Sequence, residues 1–115
     1  MKEPIHKAVS PDGKLTFAVV FDEEYCVGFP DHAWHTHGDI LVPEYGPDAK
    51  TATFSFFDSV IQDRQVICVS KRIGKEEEVW ITDDAESAPR YMEDGEVLQL
   101  RFWSGKELSR YEKRG

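Results

Sequence analysis

Apolar residues recur at every second position in the run LTFAVVF, with Leu15, Phe17, Val19 and Phe21 on one side and Thr16, Ala18 and Val20 on the other. A period of two is that of a half-buried β-strand. EYCVGF repeats it through Tyr25, Val27 and Phe29, and the polar DEE between the two runs reads as a hairpin. A weaker strand, IHKAV, precedes them across the turn SPDGK, where Pro11 sets the first turn dihedral and Gly13 tolerates a positive φ.

The period changes in GPDAKTATFSFFDSVIQDR. Pro47 and Asp48 follow Gly46 as helix-start signals, and Ala49, Ala52, Phe56 and Val60 recur at spacings of three and four, with Phe57 and Ile61 widening the stripe. Thr51, Thr53 and Ser55 are mediocre helix formers, so a strand over residues 54–57 is the competing reading. Three further strands follow: QVICVSKRI, EVWITDD and, after a turn at EDGE, VLQLRFW with Leu98, Leu100 and Phe102 on one face. RIGKEEEV reads as a hairpin connection with Gly74 at its tip. The order β-β-β-α-β-β-β, joined mainly by short turns, predicts an α+β fold: an antiparallel sheet of about six strands with one main helix on one face. A length of 115 residues fits a single domain spanning 1–115.

Composition adds that the chain folds, being 40% hydrophobic and 12% aromatic. The start has no apolar run of signal-peptide length, and no stretch is long and apolar enough for a membrane span, so a cytoplasmic protein with no membrane partner is expected. Cys26 and Cys68 each sit in an apolar, strand-like run, where a buried free thiol is the expected state.

The net charge of −8 is confined to one span. Residues 76–96 hold nine acids against one base, Arg90, while the rest of the chain sums to zero. Such a span keeps a small protein in solution, and it also repels nucleic acid and favours a basic protein partner. Asp83, Asp84 and Glu86, directly after Trp80, would stand near the centre of that surface.

Three of the four histidines fall in HAWHTHGD. If residues 34–39 are extended, His35, His37 and Asp39 project to one side, and two imidazoles with a carboxylate could bind zinc or iron. The spacing is that of an H-x-H-x-D-H hydrolase motif, but position 40 is Ile and no later His follows. A polar loop anchored to the core by Trp34 is the competing reading, and no tightly held metal and no other cofactor is expected. Trp80 and Trp103 would lie opposite the core-facing Val79, Ile81, Leu98, Leu100 and Phe102, either packed under a loop or exposed as binding anchors. There is no Gly-rich phosphate loop, no G-x-S-x-G, no Cys-x-x-Cys and no basic aromatic surface of the nucleic-acid-binding kind.

SPDGKLTFAVV, VGFPDHAWHTHGDIL, IQDRQVICVS, VWITDD and LQLRFWSGKEL together resemble a group of small bacterial proteins similar to the immunity proteins of polymorphic toxin systems. The likeness runs from about residue 10 to residue 108, with WHTHGD as its signature. It implies a protein that neutralises a cognate toxin by binding it, and it brings no catalytic residues. A toxin-binding module using Trp80, Asp83, Asp84, Glu86 and Trp103 is therefore the first expectation. A metal-binding protein or small metal-dependent enzyme built on His35, His37 and Asp39 is the alternative.

Overall fold

The structure is a computed structural model and describes residues 3–114. It is α+β, with two antiparallel sheets of four strands each and two α-helices, in place of the single six-stranded sheet and one helix that the pattern predicts. The first sheet runs β1 (His6–Val9), β2 (Thr16–Asp22), β3 (Glu24–Gly28), β4 (His35–His37) in spatial order. Helices α1 (Gly38–Tyr45) and α2 (Ala49–Ile61) follow. The second sheet contains β5 (Val66–Arg72), β6 (Glu78–Thr82), β7 (Glu96–Arg101) and β8 (Glu107–Lys113), in the order β6-β5-β7-β8. All six strands read from periodicity are present. The two additional ones are β4, only three residues long, and β8, whose ELSRYEK is too polar to show a hydrophobic period.

Helix α2 lies where the three-and-four spacing places it, and the Asp48 side chain caps it by accepting from the Thr51 backbone N–H at 2.8 Å. Helix α1 defies local propensity, since it starts on Gly38 and contains Pro43, which has no N–H to donate. Packing overrides that cost: Leu41 is buried, Val42 and Tyr45 lean on the core, and Gly38 sits so close to α2 that a Cβ there would meet Thr53 Oγ1 at 2.5 Å and the Ala49 carbonyl at 2.8 Å. Among the described residues, no helix is long and apolar enough to cross a membrane.

One core joins the two sheets. Phe17, Val19, Val27 and Phe29 from the inner face of the first sheet pack with Ala52, Phe56, Phe57 and Val60 of α2 and with Ile67, Val69, Val79 and Trp103 from the second sheet. Phe17 is the pivot, its ring centroid 4.9 Å from Phe29, 5.5 Å from Phe57 and 6.3 Å from Trp103. An ion pair between buried Arg101 and the more accessible Asp12 adds a polar tie. Arg101, 3% exposed, donates to Asp12 Oδ2 at 2.7 Å and to the carbonyl oxygens of Phe102 and Trp103 at 3.0 and 3.1 Å. Desolvation pushes the Asp12 carboxyl up, but hydrogen bonds from Ser10, Arg101 and the Lys14 N–H, together with the guanidinium charge, outweigh it and hold the group at about 2.

The second sheet has an apolar layer on each face. Register sets Val69 opposite Val79 and Cys68 opposite both Trp80 and Leu100, so Val79 and Ile81 face the shared core while Leu98 and Leu100 face away from it. The expectation that those four share a face is corrected by the insertion of β5 between β6 and β7. On the outward face Cys68, Leu98, Leu100 and Met92 form a second small core, flanked by Val66, Trp80, Ala85 and Ala88. The connection from β6 to β7, carrying the short 3-10 helix Ala88–Tyr91, covers it.

Candidate functional site: an acidic cleft between two sheet edges

Strand β4 closes one edge of the first sheet and β6 closes one edge of the second, and a groove runs between them. Its wall on the first sheet is the tight β3–β4 connection. There Gly28 is required, because a Cβ would come within 2.5 Å of the Trp34 carbonyl oxygen, and the His32 N–H donates to the Phe29 carbonyl at 2.9 Å. The groove's upper part, about 730 Å³, is lined by Asp31, His32 and Trp34 on this wall and by Lys75, Glu76, Glu77, Glu78 and Trp80 on the other. His32 Nδ1 bridges its mouth, donating to the Glu77 carbonyl oxygen at 3.1 Å. The lower part, about 560 Å³, continues past Trp34 and Thr36 to Glu44 and Tyr45 on α1, and along Ile81, Thr82 and Asp83 on the β6 side.

Trp34 belongs to both parts. It is half-buried, with its ring 6.1 Å from Phe29, and so it is both the loop anchor that the sequence suggests and a side chain available inside the groove. Trp80 is also half-buried; it lines the upper groove and, on its other side, a hollow shared with Thr82, Asp84, Ser87 and Tyr91. Trp103 is different. At 4% exposure it is a core residue, which removes it from the candidate anchors.

The nine acids of residues 76–96 do not form one patch. Glu96 is buried, accepting from the Ser70 hydroxyl at 2.7 Å and the Glu93 N–H at 2.9 Å. Glu93 pairs with Arg72, Asp94 lies 3.9 Å from Lys113, and Glu77 lies 3.3 Å from Lys71. Asp84 is occupied locally, its Oδ1 accepting from the Ser87 N–H at 3.3 Å. Among the described residues Glu76, Glu78, Asp83 and Glu86 make no ion pair. Glu76 and Glu78 edge the upper groove, Asp83 the lower, and Glu86 neither. The acids thus divide between the β5–β6 turn, where Glu76 and Glu78 flank the Lys71-paired Glu77, and the segment after β6, where Asp83, Asp84 and Glu86 make no ion pair among the described residues.

His35 and His37 do stand side by side on β4, ring centroids 5.0 Å apart, as alternation predicts. Asp39 does not join them. The chain turns into α1 at Gly38, which puts Asp39 in the helix's first turn, where its Oδ1 accepts from the Ile40 N–H at 3.0 Å. The three carboxylate, thiol and imidazole groups that do converge among the described residues are Glu24, Cys26 and His37, on the outer face of the first sheet. Neither Glu24 nor Cys26 was singled out by spacing. The signal that finds them is the strand register, which puts Cys26 directly across from His37 and Glu24 two positions along. Burial, and after it the Glu24, Asp22 and Asp39 carboxylates, push the Cys26 thiol above its ordinary value, while burial alone pushes Cys68 up to about 11. No family model, curated protein or solved structure matches the chain.

Proposed function

We propose that the protein is a binding module that takes a basic segment of a protein partner into the cleft between β4 and β6, acting as an immunity protein against a cognate toxin. The observation that carries this reading is the lining of the upper cleft, where Trp34 and Trp80 stand with four acids, Asp31, Glu76, Glu77 and Glu78, against one lysine, Lys75. A lysine or arginine side chain entering there meets an aromatic face and a negative rim together. A cation over an aromatic face contributes about 0.5–1 kcal/mol when exposed and about 2 kcal/mol when desolvated. The same carboxylates repel the phosphates of a nucleic acid.

The backbone supports the same reading. Among the described residues β6 pairs only with β5, so alternate N–H and C=O groups along Glu78–Thr82 point into the groove and can pair with an extended segment of a partner. The opposite edge of that sheet is defended: β8 presents Glu107, Arg110, Glu112 and Lys113, the charged pattern that discourages strand addition, whereas β6 reads EVWIT. Rim charges act mostly on the association rate and the anchors on the dissociation rate.

The test is neutralisation in cells. A toxin encoded immediately upstream of the gene should kill a host lacking this protein and spare one that carries it, and the two should co-purify as a complex. Joint replacement of Glu76, Glu77 and Glu78 by Gln with Trp34→Ala should restore killing. A neighbourhood with no toxin, or a toxin that forms no complex, overturns the immunity role. Undiminished protection by the quadruple variant overturns the cleft.

A further inference from the structure

We propose that Glu24, Cys26 and His37 form a binding site for one divalent transition-metal ion of the zinc class on the outer face of the first sheet, with donors distinct from the residues that line the cleft. The donors are an oxygen, a sulfur and a nitrogen, and their ligating atoms all lie within 4.8 Å of one another. His37 Nδ1 is 3.3 Å from Cys26 Sγ and 2.7 Å from Glu24 Oε1. With zinc at about 2.3 Å from sulfur and about 2.0 Å from nitrogen or oxygen, the donor-to-donor edges of a tetrahedron are about 3.3–3.5 Å. The sulfur–nitrogen edge is therefore within about 0.2 Å of its length. The carboxylate has to move outward by about half an ångström, which the Glu24 side chain, 55% exposed, can do by rotation.

The strands make the arrangement rigid where it matters. Cys26 and His37 are direct cross-strand partners on β3 and β4, and Glu24 follows on the same face two positions along β3, beside the β2–β3 turn. A thiolate with an imidazole selects zinc, cobalt, nickel or copper over magnesium and calcium, which take all-oxygen sets. On binding, the Sγ–metal bond replaces the S–H bond and the proton leaves to solvent.

Beside Cys26 lies a shallow hollow of about 410 Å³, lined also by His35, Ala18 and Gly28. A fourth ligand would come from solvent or from the neighbouring imidazole of His35, whose ring centroid is 5.0 Å from that of His37. His35 Nδ1 donates to the Ala33 carbonyl at 3.1 Å, which fixes the proton there and leaves Nε2 with a free lone pair, the tautomer a metal-binding histidine needs.

The set differs from the His35, His37, Asp39 triplet, and the experiment separates the two. Cobalt(II) added to the metal-free full-length chain should saturate at one equivalent with a thiolate-to-cobalt charge-transfer band in the near ultraviolet, and zinc should displace it. Cys26→Ser should abolish the band; Glu24→Gln and His37→Asn should each weaken binding at least tenfold. Cys68→Ala and Asp39→Asn should leave it within twofold. No band at one equivalent in the wild type overturns the site, as does a band that survives Cys26→Ser or one that depends on Cys68. Circular dichroism of each variant distinguishes a lost ligand from a lost fold.

Discussion

The first sheet gives one face to the helices and carries no second apolar cluster on the other among the described residues, whereas the second is covered twice, by the shared core on one side and by its own β6–β7 connection on the other. That difference decides where each can do chemistry. A sheet covered on one side carries donors on its free face without disturbing the core, and Glu24, Cys26 and His37 sit on such a face. A sheet covered on both sides has only its edges left for recognition, and of its two edges β8 is guarded by charge while β6 opens on the cleft. The tryptophans divide along the same line. Trp103 is sealed inside the core, and Trp80, on the edge strand, keeps one side free.

The comparison breaks first at Trp103. If one face of the second sheet belongs to the common core, Trp103→Ala should cost about 3–5 kcal/mol, the range for a large aromatic removed from an interior. Urea unfolding reads this as a large drop in midpoint, and an unchanged midpoint would detach the second sheet from that core. Next is the polar tie between the sheets: Asp12→Ala leaves the Arg101 guanidinium buried without its carboxylate, for a loss of about 3 kcal/mol. Because the Asp12 carboxyl is lowered in the fold from its ordinary 3.8 to about 2, its stabilisation is complete above roughly pH 4 and disappears as the pH falls through about 2. Unfolding curves for wild type and Asp12→Asn, measured between pH 5 and pH 2, should therefore converge at the acid end.

Trp80→Ala should cost less, about 2 kcal/mol, since the side chain is only half-buried over the small outer core. A thiol reagent draws the sharpest contrast with no stability change at all. In the native protein Cys26, partly exposed on the outer face of the first sheet, should react within the assay, while Cys68, fully buried beneath the β6–β7 connection, should react only at the rate of unfolding. Equal rates for the two thiols would mean that the outer face of the second sheet is open.

Periodicity made much of the fold legible: Phe17 and Val19 of β2, Val27 of β3 and Ala52, Phe56 and Val60 of α2 are buried as their spacing predicts, whereas Phe21 at the end of β2 is exposed and β5 buries four residues in succession because both faces of its sheet are covered. What escaped it has a physical reason in each case. Helix α1 is held by the burial of Leu41 and the close approach of Gly38 to α2, against a sequence with Gly at its start and Pro inside. Strand β8 is solvated and charged, so no apolar period marks it. Two sheets look like one because β5, β6 and β7 continue the same alternation; only the pairing order reveals that Leu98 and Val79 face opposite ways. For the site, the sequence exposed the histidine pair and the acidic span. It could not expose register, which brings Cys26 rather than Asp39 to His37, nor the pairing of Glu77, Glu93 and Asp94 with Lys71, Arg72 and Lys113.

The central claim is that the carboxylates at the cleft's mouth draw in a basic partner, and stopped-flow association with the toxin encoded beside the gene tests it most directly. Replacing Glu76, Glu77 and Glu78 by Gln should slow association at least tenfold at low salt and far less at high salt, because charges farther apart than about 10 Å are screened at 0.1 M. Folded stability should change by less than about 1 kcal/mol, since the one ion pair lost, Glu77 with Lys71, is at the surface. Equal association rates for wild type and triple variant at low ionic strength would contradict the claim and leave the acidic turn with no part in recognition.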